Sequence, residues 1–265
     1  MGKANKPEAG EHGVELVDRV IARVRAEGLG AVGGHGEPRG LTSARLRGLK
    51  LPEDKVVTPS MARWLAFDAS FFGWLRPRQR KLEGETLGAW AHREYGEDWG
   101  FSAVDEMLPG RVLPLPHGAD SRRCLYLGEV DEVGEYPVLL TDVDDGSYVG
   151  IEYPGLDVYL ADCAGVVEPP KRTYGAYAEH PTYSRRMQAH ADRLFGGRIY
   201  IDIAEHSPQT LDAIAETGMR SAESVETGDD MVEVVVGRNP MTGLEVTRRV
   251  PRAKVRPGQK IVGER

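Results

Sequence analysis

Four short apolar runs follow one another between Val112 and Glu152, and they limit the fold of this chain more than any other feature. The runs are Val112 to Leu115, Arg123 to Leu127, Tyr136 to Thr141 and Ser147 to Glu152, separated by Gly, Asp and Pro turns. Val, Leu, Ile and Tyr in runs of this length predict consecutive strands of a largely antiparallel sheet. Asp144-Asp145-Gly146 joins the last two as a predicted hairpin, because Asp and Gly tolerate the positive φ that tight turns demand.

Helical spacing dominates on either side of this block. Val17, Val20, Ile21 and Val24 recur at helix period between Gly13 and Gly28, where the glycine is placed to end the helix. Gly28 to Lys55 is rich in Gly and Arg without periodicity and reads as an irregular connection. Thr58 as N-cap with Pro59 in the first turn is a start signal, and Trp64 and Leu65 are expected in the core. Phe71, Phe72, Trp74 and Leu75 form an apolar cluster before Arg76-Pro77, and Thr86 to Tyr95 predicts a further helix. After the strands, Leu156, Tyr159, Leu160 and Cys163 mark a short helix closed by Gly165.

Beyond Pro169-Pro170 the character shifts, starting with a stretch that holds Tyr174, Tyr177 and Tyr183, which we read as a boundary. A helix carrying Met187, Ala191, Leu194 and Phe195, a strand over Arg198 to Ile203, and a helix opened by Ser207-Pro208 with Leu211 and Ile214 inward are expected next. Met231 to Val236 and Leu244 to Val250 predict a closing hairpin. The expected fold class is α+β, a mostly antiparallel sheet flanked by helices, with an α/β C-terminal extension. Its expected divisions are an N-terminal amphipathic helix and connection (1–57), an α+β core (58–168) and the extension with its basic tail (169–265).

Charge is distributed unevenly. The formal net charge is −7, yet from Cys124 to Pro170 there is no Lys, Arg or His against eleven carboxylates. Such a segment repels phosphate backbones and attracts basic partners, while a solvated acidic face kept for solubility is the alternative reading. The tail with Arg248, Arg249, Arg252, Lys254, Arg256 and Lys260 reads as a solvated, disordered end, with a nucleic-acid contact as the alternative. Cys124 and Cys163 lack metal-ligand spacing and read as thiols in a reducing compartment. With no leader-like N-terminus and no apolar stretch of membrane-spanning length, the expected location is the cytoplasm.

Catalytic and cofactor signatures fail on inspection. Gly28-Leu29-Gly30-Ala31-Val32-Gly33 fits a dinucleotide pattern in letters, but a helix precedes it where the mechanism needs a strand. A calcium loop beginning at Asp142 and Asp144 would need an oxygen ligand at the fifth position, where Gly146 sits, and a Glu at the twelfth, where Tyr153 sits. The seven histidines lack the i, i+4 spacing of paired ligands, and His117, Asp120 and Ser121 lie in a Gly-containing loop suited to turn hydrogen bonds. Neither a metal nor a cofactor is expected, nor is catalysis.

Several of these segments together resemble a known family. The order Thr58-Pro-Ser-Met-Ala-Arg-Trp-Leu, Val112-Leu-Pro-Leu, Cys124-Leu-Tyr-Leu, Gly134-Glu-Tyr-Pro-Val-Leu, the Asp-rich turn and Tyr153-Pro-Gly-Leu-Asp-Val-Tyr-Leu-Ala is similar to the SUKH superfamily, the Smi/Knr-like group. The resemblance spans about residues 58 to 165. It implies a helix-backed sheet that binds another protein, bacterial members being immunity proteins that neutralise a toxin and fungal members regulators. The expected function is therefore a non-enzymatic protein-binding module that captures a basic toxin domain through an acidic surface. The candidate partner-binding residues are Asp142, Asp144, Asp145, Tyr148, Glu152, Tyr153 and Asp157. A regulatory scaffold, or an enzyme with a cleft between the core and the C-terminal region, are the alternatives.

Overall fold

A computed structural model describes residues 11–32, 36–70, 72, 82–96, 99–116, 121–143, 147–203, 231–238 and 245–251. The chain divides into two units, Met1–Asp212 and Ala213–Arg265.

The first unit is an α+β fold built on a five-stranded sheet. Strands β1 (Arg111–Pro114), β2 (Arg122–Leu127), β3 (Val138–Asp142), β4 (Tyr148–Tyr153) and β5 (Tyr200–Asp202) lie in sequence order, every neighbouring pair antiparallel. The first four follow one another too closely for the crossover that a parallel pair needs, so a meander is the available solution. Central β3 is buried along its whole length, and at the β1 edge Val112 N donates to Glu85 O at 2.9 Å.

Helices cover this sheet. In α1 (Gly13–Glu27) the stripe Leu16, Val17, Val20, Ile21 and Val24 is fully buried, and Gly28 at φ 86° ends the helix. A short α2 (Ser43–Arg47) lies in the Gly/Arg-rich connection. Thr58 caps α3 (Pro59–Phe67) as expected, its hydroxyl accepting from Met61 N at 3.2 Å. Thr86 does the same for α4 (Leu87–Tyr95), accepting from Ala89 N at 3.2 Å, and Gly96 closes that helix in the left-handed region. Then come α5 (Leu156–Cys163) and α6 (Ser184–Phe195). Trp64, Trp90 and Phe72 are buried in the common core.

Helix α1 packs on α3 and α5, its apolar stripe joining the common core. The boundary expected at 169 shifts to Asp212, since β5 pairs with β4 and completes the sheet, drawing α6 into the same body. In the second unit, β6 (Met231–Arg238) and β7 (Glu245–Pro251) pair antiparallel with an irregularity between Val235 and Gly237, the expected hairpin. The Asp144-Asp145-Gly146 turn, Trp74 and Leu75, His117 and Asp120, the helix at Ser207-Pro208 and the tail beyond Pro251 lie outside the described residues.

Candidate functional site

The acidic segment does not form the surface expected of it. Asp131, Glu135, Asp142, Glu152 and Asp157 are all buried, each 8% exposed or less, whereas Glu129, Glu132 and Glu168 are exposed. Asp144 and Asp145 lie outside the described residues. The segment is free of positive charge along the chain but not in space. Arg123, one residue before it, points Nη2 at Glu152 Oε1 (3.4 Å), and Glu152 Oε2 also accepts from Gly175 N at 2.9 Å. Arg186, well beyond it, is sealed in the interior with its guanidinium divided between two aspartates.

That guanidinium forms a buried clamp. Its Nε donates to Asp131 Oδ2 at 2.6 Å, while Nη1 and Nη2 donate to Asp157 Oδ2 and Oδ1 at 2.9 and 3.1 Å, a two-pronged grip that suits arginine. Asp157 Oδ2 also accepts from Gly13 N (2.8 Å), and Asp131 Oδ1 accepts from Val133 N and Glu135 N, both at 3.0 Å. Burial works against the Asp131 carboxylate, but the neighbouring His190 ring and Arg186 outweigh it and hold its pKa down to about 2. Glu135 shows the reverse: burial first, then the charge of Asp157, pushes its carboxyl up to about 8. The Thr58 hydroxyl donates to its Oε2 at 3.2 Å. These groups tie α1, α3, α5 and α6 together and face no solvent.

A different set of residues meets solvent at the β4–β5 end of the sheet. The register aligns Asp142, Tyr148 and Asp202 in one row across β3, β4 and β5, and Leu140, Gly150 and Tyr200 in the next row on the same face. A Cβ on Gly150 would stand 2.6 Å from Tyr200 Cβ, so glycine is what lets Tyr200 close over β4. Tyr174 arrives from the loop before α6, positioned by Gly175, which adopts φ 63° and would strike Ile199 with any side chain. The three rings form a cluster, Tyr148 lying 6.0 Å from Tyr174 and 6.3 Å from Tyr200 with interplanar angles of 52° in both cases.

These rings line a cleft of about 860 Å³ together with Ile199, Lys171 and Asp202. A second cleft of about 570 Å³ shares Lys171, Thr173 and Tyr174 and runs on past Glu152, Tyr153 and Tyr177. Tyr174 and Tyr200 are 45% and 60% exposed, while Tyr148 is half-buried. Tyr174 donates its hydroxyl to buried Asp142 Oδ2 at 2.8 Å, and Asp142 also lies beside the Tyr148 hydroxyl. Burial, together with Asp142, pushes the Tyr148 and Tyr174 hydroxyls up. Tyr153 is buried and donates to Asp162 Oδ2 at 2.7 Å.

Of the expected contact residues, Tyr148 therefore reaches the cleft floor, with Asp142 behind it and Glu152 and Tyr153 on its extension; Asp157 belongs to the Arg186 clamp. Tyr174 and Tyr200 escaped sequence reasoning as site residues. The Tyr-rich stretch was a visible signal for the first, but nothing in the local sequence places Tyr200 beside Tyr148. Among the described residues there is no group of three or more His, Cys, Asp or Glu placed to hold a metal ion, and no helix long and apolar enough to cross a membrane.

No family model and no curated protein matches this chain. A solved structure, an uncharacterized protein from Salmonella enterica subsp. enterica serovar typhimurium str. 14028s, is similar to it at 13% identity with a TM-score of 0.48, over 75% of this chain and 98% of that one.

Proposed function

We propose that this chain is a non-enzymatic protein-binding module whose contact surface is the tyrosine-lined cleft at the β4–β5 end of the sheet. The observation that carries the reading is a pair of exposed rings, one of them held in place by its hydroxyl. Tyr174 and Tyr200 present large apolar faces to solvent while Asp142 fixes the ring of Tyr174 from behind. Rigid tyrosines of this kind supply contact area at small entropic cost and are enriched among the residues that dominate protein interfaces.

The titratable groups support binding over catalysis. Glu135, with the most useful pKa for proton transfer, is sealed in the core, and the Tyr148 and Tyr174 hydroxyls are pushed away from the neutral range where general acids and bases work well. The SUKH resemblance gives the reading a biological form, capture and neutralisation of a toxin, with tyrosines taking the part expected of an acidic surface. Both cysteines are free thiols, which suits a reducing compartment and a cytoplasmic location.

The test is affinity capture from the native host with the unaltered chain and with the double variant Tyr174→Ala/Tyr200→Ala, followed by reconstitution of each captured protein from purified components. A partner that binds the unaltered chain at least tenfold more tightly than the variant is expected. Identical binding to both would remove the cleft from the interface and the proposal with it.

A further inference from the structure

We propose that residues 11–13 act as a proton-sensitive strap: neutral His12 closes the α6 side of the Arg186 clamp, and uptake of a proton by its ring opens that side to solvent. The strap is independent of the tyrosine cleft and of what binds there.

Contacts with α6 and α5 hold the strap down. His12 Nδ1 lies 3.3 Å from Arg186 Nη1. Arginine carries only donors, so the ring nitrogen accepts, which fixes the neutral tautomer with its hydrogen on Nε2. The Tyr183 hydroxyl donates to Glu11 O at 3.1 Å, and the His12 ring meets the Tyr183 ring edge-on, 5.5 Å between centres at 89°. Gly13 N donates to Asp157 Oδ2 at 2.8 Å, so the first amide of α1 is capped by a carboxylate that Arg186 also grips. Arg186 is buried, while His12, in contact with it, is half-buried and within reach of water.

A second proton on the ring would set an N–H at Nδ1 against the guanidinium N–H, cation facing cation. It would also put positive charge at the N-cap of α1, where the helix dipole favours negative charge. Charged groups reach the ring from each neighbouring element: Arg186 of α6 opposes the proton, whereas Asp157 of α5, Asp131 after β2 and the adjacent Glu11 favour it. Tyr183 is the aromatic neighbour on α6, with the His180 ring 4.6 Å behind it, and Ser60 of α3, which faces Gly13, carries no charge. Burial and Arg186 prevail, so the His12 pKa lies below its ordinary 6.5. A lifted strap regains the ordinary value and binds the proton more readily than a closed one. Closure is therefore at full strength above about pH 6.5 and weakens as pH falls through that value. Lifting breaks the contacts of residues 11–13 and leaves Arg186 on Asp131 and Asp157, so the interior stays assembled.

The experiment follows the full chain by NMR from about pH 7.5 to about pH 5. Nitrogen shifts of the His12 ring are expected to show hydrogen on Nε2 and none on Nδ1 at the upper pH. Exchange of the Gly13 amide, corrected for the intrinsic effect of pH, is expected to quicken about threefold or more at the lower pH, while Val20 and Ile21 in the middle of α1 keep their protection. His12→Asn places an oxygen acceptor that does not titrate near the Nδ1 position, and it is expected to protect the Gly13 amide equally at both ends of the titration. His12→Ala lacks the acceptor, and fast exchange at both ends is expected. Glu135, whose pKa is raised to about 8, is present in each of these chains, so a response lost in His12→Asn belongs to His12. Hydrogen on Nδ1 at the upper pH, or a Gly13 amide equally protected throughout in the unaltered chain, would overturn the strap without recourse to any variant. An undiminished response in His12→Asn would overturn it as well, and so would a loss of protection shared equally by Val20, which would mean unfolding of the whole helix.

Discussion

Glu135→Gln is expected to make the protein more stable, by an amount that depends on pH. In the folded chain the Glu135 carboxyl is 1% exposed and its pKa is raised to about 8, against an ordinary value of 4.5. Between those two values the folded protein holds a proton that the unfolded chain has released. Folding must then take a proton up, so stability is greatest below about pH 4.5 and falls as pH rises toward 8. Each unit of that interval costs about 1.4 kcal/mol, which at pH 7 amounts to something on the order of 3 kcal/mol. Glutamine has the shape of the protonated acid, its amide oxygen can still accept from the Thr58 hydroxyl, and it ionises in neither state. The variant should match the unaltered chain near pH 4.5 and exceed it increasingly up to pH 8. Urea titrations followed by the fluorescence of buried Trp64 and Trp90 measure the difference. A stability gap that stays flat from pH 5 to pH 8, or a glutamine variant less stable throughout, would refute the buried neutral acid. Asp131 does not blur the result, because its lowered pKa makes stability fall only as pH drops below about 4 toward 2.

Replacing Arg186 with Met should destabilise the first unit by about 3–5 kcal/mol, since Asp131 and Asp157 would remain buried without their cation; removal of the exposed Arg63–Asp18 pair should cost less than about 1 kcal/mol in the same urea assay. Gly150→Ala should cost about 1–3 kcal/mol by crowding Tyr200 Cβ and Ile199 O, and it should raise amide exchange selectively in β5, which hydrogen exchange reads directly.

Much of the fold was written in local signals. Thr58-Pro59, the stripe of α1 with Gly28 at its end, and the closely spaced apolar runs each settle their own conformation within a few residues, and each appears in the structure where expected. The site was less legible because it depends on distant pairing. Arg186 meets Asp131 across 55 residues and Asp157 across 29, so a window without positive charge says nothing about what neutralises it after folding. Similarly, Tyr200 approaches Tyr148 only because β5 returns to β4 and Gly150 leaves room. Asp157, taken from the sequence as a surface contact, is instead one of the most enclosed carboxylates, drawn in by the same guanidinium.

The Arg186 clamp also sets a timetable for biosynthesis. Asp131 leaves the ribosome 55 residues ahead of its cation, a wait of about 3–11 s at ordinary rates of translation. During that interval the nascent sheet carries carboxylates it has no means to enclose, and α1 has yet to receive the Asp157 acceptor for Gly13 fixed in place. Completion of the interior is thereby deferred until α6 emerges.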